Sequence, residues 1–263
     1  MLFLKEYRPT KIKKDNIYQS RNKILKSNNT NLEFLLKKRF LWMEKHITNK
    51  KKIIELGSGN GCIHSVLKKK KIILTDIVKY PWIKHKIDMK KMNLGKKNYN
   101  RVDVFIFNHS LHHCSNPALT LKKISRYLKK GGLIVLNEPE ASFSLRLIQY
   151  LLDDEGWSYN VNIFNKKKDI FKSKNPWYSN TATANLLFSN EKKFSKYFPG
   201  YKIIKNDLSE FFIFINSSGV NQDIPHIPLN NLFNHILNFI DVILILLFPK
   251  IFPLNRSVVL KKI

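Results

Sequence analysis

Three alternating glycines, Gly57, Gly59 and Gly61, follow directly on the apolar run Ile53–Leu56, and no other stretch restricts the possible folds as much. A short apolar run bounded by glycine reads as a buried strand, and Cys62–Lys68 can open a helix, so the local unit is strand, tight turn, helix. Glycine adopts backbone angles that a Cβ forbids, which lets the main chain approach a ligand closely. Free amides at the start of the helix favour polar or anionic groups. Glu55 lies at the end of the strand, toward the same crevice. The spacing is E-x-G-x-G-x-G, whereas a dinucleotide fingerprint needs a further glycine where Cys62 stands.

The same alternation continues downstream. Lys71–Asp76 reads as a second strand, His85–Met89 as a short third, Val102–Asn108 as a fourth and Leu133–Asn137 as a fifth, with Lys129–Gly132 ending the helix between the last two. Strands alternating with helices imply a parallel sheet that binds its ligand at the carboxyl edge. Glu55, Asp76, Asp88, Asn108 and Glu138 all fall at that edge. Asp76 follows Glu55 by 21 positions, where a nucleoside-binding fold needs a carboxylate for ribose hydroxyls. Upstream, a helix capped by Thr30 or Asn31 runs through Ile47, and Met1–Asn29 is basic, with few anchors, and mobile or draped over the body.

These pieces (E-L-G-S-G-N-G, the acid of T-D-I, I-D-M, F-N-H-S-L-H-H-C-S-N-P and L-K-K-G-G-L-I-V-L-N-E-P) make Lys52–Glu138 resemble the type-11 group of class I S-adenosylmethionine-dependent methyltransferases. The resemblance implies an α/β fold: a Rossmann-like, mostly parallel seven-stranded sheet with helices on both faces and an antiparallel edge. It also implies S-adenosylmethionine as cofactor. Glu55, Gly57, Gly59 and Gly61 would hold the methionyl end, Asp76 the ribose, Asp88 and Met89 the adenine, and Asn108 and His109 would stand beside the sulfonium.

His112, His113 and Glu138 are the candidate catalytic groups. Imidazole titrates near neutral pH and can serve as a general base, although positioning alone can accelerate an in-line methyl transfer. No metal is expected at these histidines: no acidic partner is evident near them, and metal-bound imidazoles ordinarily have one. Cys62 and Cys114 form no C-x-x-C pair, which argues against structural zinc and for a reducing compartment.

The chain is expected to divide into a basic N-terminal segment and helix (1–48), a cofactor-binding core (49–140), an acceptor-binding insertion (141–200) and a closing part (201–263). With 263 residues and 43% apolar content it can bury one core with elaborations more readily than two independent domains. Helical insertions flank the sixth strand, Tyr201–Asn206, before the last, Arg256–Lys261. Within 141–200, Asp154, Glu155, Trp157 and Trp177 concentrate acid beside aromatics and are the candidate acceptor-binding residues. In 231–248 the polar residues Asn231, Asn234, His235, Asn238 and Asp241 occupy one third of a helical circumference, and the rest is apolar. Lying flat on a membrane, such a helix would turn its polar stripe to headgroups and water; covering the active site or pairing two subunits are the alternatives.

The formal charge of +28 would ordinarily suggest nucleic acid, but only 7 of the 47 basic residues are Arg, and the lysines are spread along the chain. RNA methylation and a non-catalytic cofactor-binding scaffold therefore rank behind a small-molecule, lipid-linked or glycan-linked acceptor. Met1–Lys11 lacks a secretory apolar core, so the expected location is cytoplasmic, at the inner face of a membrane. The oligomeric state is left open.

Overall fold

The computed structural model describes residues 4–14, 16–26, 28–221 and 224–263. The parts of the expected N-terminal segment at 1–3, 15 and 27 lie outside the described residues. In chain order the first half holds β1 (Glu6–Tyr7), α1 (Ile17–Lys26), α2 (Thr30–Ile47), β2 (Ile53–Leu56), α3 (Ile63–Val66), β3 (Ile72–Asp76), β4 (His85–Lys86), β5 (Val102–Asn108), α4 (Pro117–Tyr127) and β6 (Leu128–Pro139). The second half adds α5 (Phe143–Leu151), β7 (Trp157–Ser158), α6 (Thr183–Phe188), α7 (Glu191–Tyr197), β8 (Tyr201–Ser209), α8 (Phe212–Ile215), α9 (Asn231–Leu247) and β9 (Asn255–Lys262).

Seven strands form one sheet in the order β4-β3-β2-β5-β6-β9-β8. All neighbours run parallel except β9, which is antiparallel to β6 and β8. This is the Rossmann-like, mostly parallel sheet with helices around it, and the seven strands and antiparallel edge are present. Side-chain alternation assigns the two faces. Val104 and Ile106 of β5, Leu133 and Val135 of β6, and Val259 of β9 pack under α2 with Leu36, Phe40 and Met43. Their neighbours Phe105, Phe107, Ile134, Leu136, Val258 and Leu260 pack under α4, α6 and α7 with Leu121, Ile124, Phe188 and Phe194. Both faces are covered, which is why these strands read as continuous apolar runs.

Three local expectations change. The helix after the glycines is a single turn, Ile63–Val66, because the chain leaves it at Leu67 and turns through Lys68–Lys70 straight into β3. The cap of α2 is Asn29, whose side chain accepts from the N–H groups of Asn31 and Leu32. Lys129–Gly132 does not end a helix: β6 already starts at Leu128, and the register to β5 shifts between Val102 and Val104, absorbing the extra residues as an irregularity. The described part of the N-terminal segment is draped over the body, one of its two expected forms, since β1 pairs antiparallel with β7 and α1 follows it.

The largest correction concerns α9. Three of its five polar residues, Asn234, Asn238 and Asp241, turn into the protein, while Asn231 and His235 are exposed. Asp241 is 1% exposed and accepts from the N–H groups of Phe211 (2.9 Å), Phe212 (2.8 Å) and Ile213 (3.2 Å) at the start of α8. Asn234 donates to Asn31 of α2 at 3.3 Å, and Lys38 donates to Asn238. The physical reason is that the first amides of α8 have no partner within their own helix, and a carboxylate meets that demand. The apolar residues face outward instead: Leu246 is 79% exposed, Leu232 66% and Phe239 64%. Among the described residues no helix is long and apolar enough to cross a membrane.

Replacing Asp241 with Ala should leave three amides without their acceptor, the Ile213 one buried, and cost about 1–3 kcal/mol of unfolding free energy, read as an earlier urea midpoint at unchanged slope. An unaltered midpoint would show that α9 is held by other contacts.

Candidate functional site

The carboxyl ends of β2, β3 and β5 open into a cleft of about 340 Å³. Its floor is the glycine turn, with Gly57, Gly59 and Gly61 at φ +70°, +47° and +68°. A Cβ on Gly57 would stand 2.5 Å from Met89 Cε and 2.6 Å from Ser110 Cβ, and one on Gly61 would stand 2.8 Å from an Arg21 guanidinium nitrogen. Gly59 is different: a Cβ there would meet nothing nearer than Ile17 Cδ1 at 3.7 Å, so its open side belongs to the cleft.

The turn is braced on three sides. Asp76 accepts from the Gly59 N–H at 2.8 Å and the Val78 N–H at 2.9 Å. Trp82 donates its indole N–H to Gly59 O at 2.8 Å, and Arg21 donates to Asn60 O at 2.6 Å while lying 4.4 Å above the Trp82 ring. Burial raises the Asp76 carboxyl above its ordinary value. Glu55 sits behind the turn, 1% exposed, with Oε2 making no hydrogen bond, and burial pushes its carboxyl up to about 8.

The second wall is the turn after β5. His109 takes φ +48° and donates its backbone N–H to Asn137 O at 2.7 Å. Glu138, at the end of β6, then gathers the turn: its carboxylate accepts from the N–H groups of Ser110 (3.0 Å), Leu111 (2.8 Å) and His112 (3.3 Å), and lies 2.7 Å from His112 Nδ1. On the other side of the ring, His112 Nε2 is 3.2 Å from Glu155 Oε1, and His113 Nε2 is 3.3 Å from the same oxygen. The expectation that these histidines lack acidic partners is therefore overturned. Both acids are remote in sequence, and only the sheet edge brings them in. Burial opposes charge on His112, yet Glu155 and Glu138 raise its pKa to about 10. Burial and the adjacent His112 hold His113 down at about 4. Burial disfavours charge on Glu155 as well, but His112 outweighs it and brings the carboxyl to about 2.

Of the residues singled out from sequence, Gly57, Gly59, Asp76, Met89, Asn108, His109, His112, His113, Asp154, Glu155 and Trp177 line this one cleft. Glu55, Gly61, Asp88, Glu138 and Trp157 do not. Asp88 accepts from the N–H groups of Lys90 and Lys91 in its own turn. Glu138 is 1% exposed and holds backbone, so it is a positioning residue and not one that meets a ligand. Trp157 is a packing residue, 1% exposed, with its ring 5.0 Å from that of Tyr7 and its indole N–H donated to Leu4 O. Arg8, Ile12, Ile17, Arg39 and Tyr178 also line the cleft, and sequence reasoning passed over them. One signal was available for Ile17: Asn16 before an apolar position is a helix cap, and its side chain does accept from the Gln19 N–H.

The N-terminal strap reaches the cleft because Asp153 ties it down. Asp153 accepts from the Tyr7 hydroxyl at 2.5 Å, from the Thr10 N–H at 2.9 Å and from the Thr10 hydroxyl. Bonding to the Thr10 and Tyr7 hydroxyls and the Thr10 amide holds its carboxyl at about 2. A depressed carboxyl stabilises the tie above its unfolded value of about 3.9 and loses it as pH falls through the folded value. Wild type should keep the strap above about pH 4 and release it toward pH 2, followed by tryptophan fluorescence. D153N, already loosened, should show no such step and should be cut faster by trypsin after Lys11 and Lys13 at neutral pH. Equal cutting of the two proteins would mean that β1 alone holds the strap.

Comparison with known proteins agrees with this geometry. The methyltransferase-domain family matches over residues 25–185. A SAM-dependent methyltransferase from Archaeoglobus fulgidus has a similar structure, with TM-score 0.53 at 15% identity over 93% of this chain and 99% of that one. The plantazolicin methyltransferase BpumL, solved in complex with SAH, follows at TM-score 0.46 and 13% identity over 94% of this chain and 88% of that one. No curated protein sequence matches the chain. The family match spans more than half of the sequence and takes in both walls of the cleft, the glycine turn and the histidine turn: the chain belongs to the methyltransferase-domain family and is a methyltransferase.

Proposed function

We propose that this enzyme transfers a methyl group from S-adenosylmethionine to a small, lipid-linked or glycan-linked acceptor at the cytoplasmic face of a membrane. The observation that carries the reading is that one cleft holds both an open glycine turn with its carboxylate and, on the facing wall, the Glu155–His113 pair.

The residues suit the cofactor. Gly59 leaves room for a close approach to backbone, and Asp76 keeps lone pairs for ribose hydroxyls beyond the two amides it already accepts. Met89, Asn108 and His109 complete that end of the wall. Bound there, S-adenosylmethionine supplies an electrophilic methyl carbon on a sulfonium. The protein's own contribution is to hold an acceptor atom in line with it. At the other end, the ionised Glu155 and neutral His113 accept hydrogen bonds from an acceptor hydroxyl or amine, with Trp177 and Tyr178 flanking. The segment 141–200 thus serves the acceptor, and 49–140 the cofactor.

The membrane part of the reading rests on α9. Its outward residues, among them Leu232, Phe239, Leu246 and Leu247, offer an apolar face to the acyl boundary, and a net charge of +28 complements anionic lipid.

Three measurements test the proposal. In calorimetry with S-adenosylhomocysteine, Asp76→Ala should weaken binding by about 1–3 kcal/mol, and unchanged affinity would remove Asp76 from the site. Mass spectrometry of lipid and glycan extracts from cells with and without the protein should reveal a methylated species; methylated RNA in its place would replace the acceptor class, and no methylated product at all would leave a scaffold. Wild type should also sediment with anionic vesicles, less so at high salt, and charges at Phe239 and Leu246 should release it. A dimer disrupted by those same charges, with vesicles ignored, would assign the face to a second copy.

A further inference from the structure

His112, His113 and Glu155 come from two segments more than forty positions apart, yet they aim three ligand atoms at one point. One ring nitrogen of each imidazole and a carboxylate oxygen of Glu155 all lie within 4.8 Å of one another. The separations from Glu155 Oε1 are 3.2 Å to His112 and 3.3 Å to His113. Two ligands at about 2.0–2.1 Å from a tetrahedral zinc ion are about 3.3 Å apart, so both spacings fit the edge of such a coordination shell without movement.

The far sides of the rings supply a second argument. His112 Nδ1 faces Glu138 at 2.7 Å, and His113 Nδ1 faces Tyr178 O at 3.3 Å. Each imidazole therefore has an acceptor on both nitrogens. Doubly protonated, His112 satisfies both of its acceptors, whereas a neutral His113 carries one proton and satisfies only one of its two. With Nδ1–H donated to Glu138 and to Tyr178 O, each ring can offer an Nε2 lone pair beside the Glu155 carboxylate, and a cation there takes the place of the Nε2 proton of His112. A ring that donates Nδ1–H to a carboxylate or carbonyl while offering Nε2 is the usual support of a metal-bound imidazole. Glu138 is itself fixed by three backbone amides, so the support does not move.

We propose that His112 Nε2, His113 Nε2 and Glu155 bind a divalent first-row transition ion of the zinc type, with its remaining coordination position turned to the cleft. Two imidazoles and one carboxylate suit such an ion, whereas magnesium prefers an all-oxygen shell with several waters. All three ligands line the cleft, so an oxygen or nitrogen donor on an acceptor can complete the shell. With the ion bound, the acceptor meets it in place of the hydrogen bonds to Glu155 and His113 proposed above, and the test reads metal rather than turnover.

Tag-free full-length protein is stripped with a chelator, incubated with zinc chloride and gel-filtered, and retained zinc is counted by mass spectrometry; the Kd follows from competition with a chromophoric chelator. Wild type should keep one equivalent, with excess magnesium failing to displace it. His113→Asn and Glu155→Gln, both partly exposed positions, should each weaken binding at least a hundredfold, and Glu138→Gln about 10–100-fold. Thermal melts and S-adenosylhomocysteine binding establish that each variant is folded, and His113→Asn decides if Glu155→Gln is not. Retention below a tenth of an equivalent, or an unchanged Kd in His113→Asn, would overturn the site and leave a proton-shared His–Glu network.

Discussion

A single buried carboxylate organises the working end of this enzyme. Glu138 lies at the end of β6 and accepts three successive amides of the turn after β5, together with the ring of His112. The turn contains a residue with positive φ, His109, and a short 3-10 stretch, Leu111–His113, neither of which would hold its shape unaided. Bonds from charged acceptors in a buried setting are the strong ones, and here one side chain substitutes for a helix's worth of local hydrogen bonding. Because β5 and β6 are adjacent and parallel, the anchor and the turn it anchors are delivered by the same sheet register.

The same device recurs where added segments meet the core. Arg39 of α2 pairs in a buried, two-pronged contact with Glu210 after β8 (2.6–3.0 Å), Arg256 of β9 pairs with Glu140 after β6 (2.6 and 3.0 Å), and Asp241 of α9 takes the amides of α8. Buried charges are costly unless fully matched, so each contact permits one docking geometry and little else. The arrangement also explains the reversed polarity of α9, which turns its hydrogen-bonding side inward and leaves its apolar side to the surroundings.

A second consequence is that the cleft is built from distant parts. The glycine turn is local, but its brace comes from α1, through Arg21, and from Trp82 beyond β3. The strap that lines the mouth is held by Asp153, more than a hundred and forty positions later. Glu155, two residues on, reaches the histidines from the other side. The insertion after α5 thus joins the strap and the histidine turn into one wall.

By itself the sequence determined the sheet and its ligand edge. The apolar run of β5, the glycine spacing at 57–61 and the acids at strand ends are local patterns, and local patterns are what a strand or a turn needs. It also placed Gly59, Asp76, Met89, Asn108 and the histidines at one edge, because in a parallel sheet the carboxyl ends of successive strands must lie together. What it did not contain was the orientation of side chains that meet across long separations. Asp88 and Glu138 are both acids at strand ends, yet one bonds its own turn and the other supports its neighbour's. Trp157 and Trp177 both follow acids or turns, yet packing against Tyr7 takes the first into the core. The histidines looked partnerless because Glu138 and Glu155 lie 26 and 43 positions from His112. Only the tertiary structure decided these, since burial and hydrogen-bond demand are properties of the assembled neighbourhood and not of any one stretch of chain.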